Sequence, residues 1–362
     1  MENIDIKNLG DNIVERIEIL QVGTGEFDKI GIHRISKNIC GCSKCTVVMI
    51  PGANSDFSTS FQNMAIYLAK CGVDVFGIDF RYSFVPNNTP VGYPYCIASD
   101  CTFMKNWDTN LHLSDLSNIV KLAEMSSRNG VFLIGFSQGA YFAYKYSIEH
   151  PELLGIIPMD ISYNIDPVYT DVIDRTRVDV DKRMVKINSN IFYEDVLTEK
   201  YIAGLALVDP DGQSTIIPGL TNRQVFIYAL TNTGLLTNHP IPGYKYCQGD
   251  MTGLKHTDYN FILNQSFKLN SFQSILTLTE LRKQWLVSPQ EIPNINVPIF
   301  HIGAEFGFGT YGLYTPNQIH QFNPNVDTYI IPDYGHADLV YSNTAEENVW
   351  KKVSKWIKDQ TE

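Results

Sequence analysis

Several features are missing from this chain of 362 residues, and each absence removes a class of function. No uninterrupted apolar run approaches the roughly 20 residues needed to cross a bilayer, so a membrane-spanning protein is not expected. The opening stretch, Met1-Glu2-Asn3-Ile4-Asp5-Ile6-Lys7, lacks the basic start and apolar block of a secretory signal, which makes the cytoplasm the expected location. Positive charge is scarce, and a formal net charge of −11 argues against nucleic acid and anionic membrane surfaces as partners. There is no internal repeat and no low-complexity tract. Charged residues are only 19% against 44% hydrophobic, the balance of a chain that buries a core. Its length suits a large α/β unit carrying an insertion.

The seven cysteines are odd in number and unevenly spaced, which does not suggest a disulfide framework. Cys40, Cys42 and Cys45 are close enough to begin a zinc site. A structural zinc site usually takes four ligands in two pairs, however, and these three fall in what reads as a hairpin turn. Free thiols are the reading preferred, and neither metal nor cofactor is implied.

What is present is a rhythm of apolar runs. Residues 13–22 and 29–35 alternate as strands of an opening antiparallel hairpin or meander. Cys45-Thr46-Val47-Val48-Met49-Ile50 is continuous, the mark of a strand buried on both faces. A helical pattern follows through Phe61, Met64, Ala65, Leu68 and Ala69. Residues 73–81 form the next strand and its exit. A long amphipathic helix then begins near Trp107, with Leu113, Leu116, Ile119, Val120 and Leu122 on one stripe. Residues 130–136 and 153–159 are further buried strands. This alternation predicts a doubly wound, mostly parallel sheet. The rhythm breaks between 161 and 293, where helical stretches are expected at 183–187, 195–206, 223–230 and 272–285 and no buried strand is evident. It resumes with strands at 297–303 and 327–332 and a helix over 344–358, with Val349, Val353, Trp356 and Ile357 inward. Residues 1–160 and 294–362 are therefore expected to form the core, and 161–293 a cap inserted after the sixth strand.

The chemistry concentrates where the strand at 130–136 runs into Gly135-Phe136-Ser137-Gln138-Gly139 and a helix follows at once. Strand, tight turn and helix in that order make a nucleophile elbow out of a weak pentapeptide. The turn strains Ser137, and side chains larger than Gly135 and Gly139 would collide across it. The Gln138 N–H, opening the helix, is placed to face a developing oxyanion.

Four motifs in order resemble the α/β-hydrolase superfamily: Pro51-Gly52-Ala53 after the third expected strand, Asp79-x-Arg81 after the fourth, the elbow, and Tyr334-Gly335-His336-Ala337-Asp338 after the last. The resemblance covers roughly residues 13–160 and 294–358. It implies a serine hydrolase of the esterase or lipase kind, cleaving a carboxylic ester, thioester or amide of a small acyl substrate through an acyl-enzyme on Ser137. His336 is the candidate general base, because a serine hydroxyl attacks well only when an imidazole takes its proton. The acid is either Asp160, which ends the strand after the elbow, or Glu305 in Gly303-Ala304-Glu305-Phe306-Gly307, where Phe306 occupies the usual acid position; Asp160 is slightly favoured. Ala53 and Gln138 N–H groups are expected to form the oxyanion hole, Asp338 to hold the histidine loop, and Asp79 and Arg81 to secure the fourth loop. The alternatives are acyl transfer by the same residues, or a binding protein of the same fold.

Overall fold

A computed structural model describes residues 2–37, 45–232, 243–245, 251, 253–287, 290 and 292–361. Among these residues the main sheet has nine strands: β1 (Glu2–Gly10), β2 (Ile13–Gln21), β3 (Lys29–Lys37), β4 (Thr46–Ile50), β5 (Asp74–Asp79), β6 (Val131–Phe136), β7 (Gly155–Met159), β10 (Ile299–Ala304) and β11 (Val326–Ile331). Their spatial order is β1-β2-β3-β5-β4-β6-β7-β10-β11. The first three strands form an antiparallel meander that joins β5 antiparallel. From β5 to β11 every pairing is parallel.

The continuous apolar runs are explained by burial on both faces. Val47 and Met49 of β4, with Phe132 and Ile134 of β6, pack beneath α1 (Phe57–Lys70) and the last helix. Val48, Ile50 and Leu133 point the other way, beneath α2 (Thr109–Ser126) and α3 (Gln138–Glu149). That alternation by twos is the strand period expressed as two hydrophobic layers. Helix α2 is capped by Asp108, whose carboxylate accepts the Leu111 N–H at 2.9 Å. Leu116, Ile119 and Val120 are buried as expected, but Leu122 stands on the solvent side.

The chain departs from its expected outline at two places. Strand β1 is an additional edge strand, so the insertion follows the seventh strand in chain order. Residues 161–293 contain the expected helical stretches as α4 (Thr170–Asn188), α5 (Leu197–Val208), α6 (Asn222–Thr231) and α8 (Ile275–Leu286), and also α7 (Tyr259–Lys268). They also contain a short antiparallel pair, β8 (Tyr193–Asp195) with β9 (Phe272–Ser274). Ile202, Phe226, Leu230 and Ile262 form a small core of their own there.

Cys40 and Cys42 lie outside the described residues, and Cys45 Sγ meets Thr361 Oγ1 at 3.3 Å. Among the described residues no three His, Cys, Asp or Glu side chains are placed to hold a metal. Cys96 and Cys101 form a disulfide, which the uneven spacing did not suggest. Structural disulfides belong mainly to oxidising compartments, so the cysteine count does not support a cytoplasmic location. No described helix is long and apolar enough to cross a membrane.

Candidate active site

Strand β4 leads to β5 on one side and, after crossing back, the chain places β6 on the other. Ligands of open α/β sheets gather at such a switch point, beyond the carboxyl ends of the strands. The β4 exit carries Gly52 and Ala53; the β6 exit carries Ser137.

Ser137 has φ 55° and ψ −119°, a left-handed conformation that a non-glycine residue adopts at a cost. Its N–H is held by the Met159 carbonyl at 2.9 Å. The flanking glycines are required for close approach. A Cβ on Gly135 would come within 2.2 Å of the Gly139 carbonyl oxygen, and one on Gly139 within 2.0 Å of the Ile50 carbonyl oxygen. The serine is thus held between β6 and α3, with β4 directly behind it.

His336 comes from the turn after β11. Its ring stacks on Phe136 at 4.7 Å between centroids and meets the edge of Phe308 at 5.8 Å. The turn is held by the buried Asp338 carboxylate, which accepts the Gly335 N–H (2.9 Å), the Lys245 N–H (3.0 Å) and the Thr257 hydroxyl (2.6 Å).

Of the two candidate acids, Asp160 reaches the imidazole. Its Oδ2 lies 2.6 Å from His336 Nδ1, and its side chain is wholly buried. The carboxylate also accepts the Ala304 N–H at 2.9 Å and the Phe308 N–H at 3.1 Å. Ala304 ends β10 and Phe308 lies in the loop after it, the loop in which Phe306 stands at the usual acid position. Gly307 makes this wrapping possible, since a Cβ there would sit 2.0 Å from Asp160 Oδ2. Glu305 is exposed and accepts the Asp333 N–H at 2.6 Å. Behind Asp160 lies His301, fully buried, with Nδ1 3.2 Å from the Tyr144 hydroxyl. Burial pushes its pKa down to about 4, against the pull of Asp160, so this imidazole is neutral.

Ala53, Gln138, Ser137 and His336 line one cavity of about 190 Å³. Neither the Ala53 nor the Gln138 N–H donates to an acceptor among the described residues. Much of the wall comes from the insertion: Val196, Leu230, Ile262, Leu269, Leu278 and Leu281, with Glu199, Gln265, Ser266 and Arg282 among its polar members. Arg282 pairs with Asp179 at 3.1 Å. Burial, aided by neighbouring Arg183, lowers its pKa to about 10, so it stays charged.

The other motif residues make contacts within the core. Asp79 accepts the Phe57 N–H at 2.8 Å and pairs with His33 at 2.9 Å. Arg81 grips Asp115 with two bonds (2.7 and 2.8 Å) and Asp28 with a third. Asn54 takes a left-handed turn at φ 56°. The sequence reading did not find Gln273, a buried side chain of β9 that touches both Asn54 and Gln138. It sits in a mixed polar stretch, Asn270-Ser271-Phe272-Gln273-Ser274, which gives no local signal that would single it out.

No protein-family model matches the chain, and no curated protein matches it. Solved structures do. A lipase candidate from Sulfolobus solfataricus superposes with a TM-score of 0.69 at 18% identity, over 99% of this chain and 100% of that one. A thermostable carboxyl esterase from Bacillus coagulans gives 0.57 at 14% identity, over 96% and 99%. A soluble variant of the Saccharomyces cerevisiae monoglyceride lipase, bound to a substrate analogue, gives 0.55 at 11% identity, over 99% and 96%. At such identities the likeness establishes architecture, and function has to be argued from the site. The chain has the α/β-hydrolase fold.

Proposed function

We propose that the protein is a serine hydrolase that cleaves carboxylic esters through an acyl-enzyme on Ser137. The observation that carries this is the 2.6 Å contact between His336 Nδ1 and the buried Asp160 carboxylate, on the cavity that the strained Ser137 also lines. A carboxylate on Nδ1 selects the imidazole tautomer whose Nε2 can take a proton, and it stabilises the imidazolium that forms. Ser137 then attacks the acyl carbon as His336 removes its proton. The carbonyl oxygen gains negative charge and is received by the Ala53 and Gln138 N–H groups. His336 next protonates the leaving alcohol, and water repeats the sequence to release the acid.

Residues 161–293 act in this reading as a cap that walls the acyl pocket. The lipase and esterase neighbours support hydrolysis of esters as the reaction. The experiment that tests the assignment is labelling by a fluorophosphonate. Wild type is expected to be labelled and Ser137→Ala not, with kcat on a p-nitrophenyl ester reduced by about 10⁶-fold. Equal labelling of the two proteins would remove Ser137 from the mechanism.

A further inference from the structure

We infer that Gln273, on the inserted strand β9, is a positioning residue for the oxyanion hole; the inference rests on the ester-hydrolase reading above. Its carboxamide joins the two segments that carry the oxyanion donors. Oε1 accepts the Asn54 N–H at 2.5 Å, and Nε2 donates to Gln138 Oε1 at 3.1 Å. The amide can take only this orientation, because a backbone N–H donates and needs oxygen opposite it. Gln273 is 1% exposed and Gln138 is 2% exposed, so water does not substitute for either bond.

Two more bonds tie the same turn to the same segment. The Asn54 side chain donates to the Asn270 carbonyl at 3.2 Å, and the Asn270 N–H donates to the Asn54 carbonyl at 2.7 Å. Strand β9 is itself anchored to the core. Ser274 Oγ donates to the Trp107 carbonyl at 2.5 Å, and the Ser271 N–H donates to Asn87 Oδ1 at 2.8 Å. The inserted segment therefore does more than wall the pocket. It sets the left-handed turn at Asn54, next to the Ala53 donor, and holds the first residue of α3.

An oxyanion hole works by pre-organisation, so loss of this brace acts on the transition state more than on substrate binding. The decisive variant is Gln273→Met, which keeps side-chain length and removes both polar atoms. Its kcat on a p-nitrophenyl ester is expected to fall by about 10²-fold, the cost of a displacement near 1 Å or of one lost donor, with KM changed less than about two-fold. In hydrogen–deuterium exchange the Asn54 amide should lose protection. Unchanged kcat, or a higher KM at unchanged kcat, overturns the proposal, as does unchanged protection at Asn54. If Gln273→Met does not fold, Gln273→Glu decides. Its carboxylate still accepts from Asn54 but has no N–H for Gln138; kcat should fall with Asn54 still protected, and an unchanged kcat overturns the proposal. Fluorophosphonate labelling of wild type is measured first. Failure there rejects the hydrolase reading, while the exchange at Asn54 still tests the brace.

Discussion

Asp160 and Glu305 end neighbouring parallel strands, and either carboxylate could in principle follow the nucleophile and precede the histidine in chain order. What separates them is where each finds its hydrogen-bond donors. Asp160 takes one N–H from the end of β10, one from the loop after it, and the imidazole of His336, while Glu305 spends one oxygen on the exposed Asp333 N–H. Asp160→Asn is accordingly expected to lower kcat by about 10⁴-fold, because an amide favours the wrong imidazole tautomer, whereas Glu305→Gln should stay within a few-fold of wild type. Steady-state kinetics on one ester checks both, and the reverse ranking would make Glu305 the acid. Ser137 and His336 were legible in the sequence because each sits in a short local pattern. The candidate acid was left between Asp160, slightly favoured, and Glu305, because the contact that distinguishes them spans 176 positions. A second residue-scale prediction concerns His33, buried between Glu15 and Asp79 at 2.9 Å from each. Burial alone would lower its pKa; the Asp79 and Glu15 carboxylates outweigh burial and raise it to about 9. Its folded value lies above the unfolded value of about 6.5, so its contribution is complete below that pH and disappears as pH rises through about 9. The unfolding free energy from denaturant titrations should therefore fall between those limits in wild type, by an amount on the order of 3 kcal/mol, and His33→Gln should flatten that slope. A wild-type curve equally steep in the variant would assign the effect to other groups.

Among the elements, those buried on both sides announced themselves and those held by backbone alone did not. Strands β4 to β7 and β10 were readable because two hydrophobic layers demand continuous apolar runs, whereas the edge strand β11, with Asp327 and Thr328 exposed, was read from its Tyr329-Ile330-Ile331 end. Strand β1 was not: residues 5–8 are exposed, and its order comes from backbone pairing with β2, which leaves no mark on side-chain choice. Helix α7 begins at a true cap, with Asp258 accepting the Phe261 N–H at 2.7 Å. It went unread because Ile262, Leu263 and Ser266 give it too narrow a buried stripe to stand out. The β10 loop carries Phe306 where the resemblance would place an acid, and its Gly307 lets the backbone close on Asp160. Gly307→Ala would place a Cβ 2.0 Å from Asp160 Oδ2. Either the loop withdraws its donors or the carboxylate shifts from His336. The expected result is a loss of about 1–3 kcal/mol of stability together with a fall in kcat, read from a denaturation curve and ester kinetics on the same preparation. Full activity with lowered stability would mean that the loop yields while the acid stays in place.

At the scale of the whole molecule, the two-layered core and residues 161–293 meet at the cavity that Ser137 lines, and its composition sets what can occupy it. The core supplies the edge with the proposed catalytic groups: Ser137, His336, Ala53 and Gln138. The insertion supplies Leu230, Ile262, Leu269, Leu278 and Leu281, with Phe308 and Ile161 completing an apolar wall. Glu199, Gln265 and Arg282 interrupt that wall, and Arg282 is already engaged by Asp179. A hydrocarbon chain entering the cavity would exchange water for side-chain contact at about 0.8 kcal/mol per methylene, or roughly four-fold in kcat/KM for each carbon added. This holds only while the added carbon meets the wall and the water it displaces was poorly held. Across p-nitrophenyl esters from acetate upward, kcat/KM should therefore climb to an optimum at intermediate length and fall once the chain outgrows a cavity of about 190 Å³. Leu281→Trp, which adds bulk to the wall, should move that optimum to shorter chains without changing the rate of fluorophosphonate labelling at Ser137. A profile that is highest on acetate and declines from there would show that the apolar wall receives the alcohol portion of the substrate and not the acyl chain. The same series run with varied alcohols and a constant acyl group would then locate the optimum on that side.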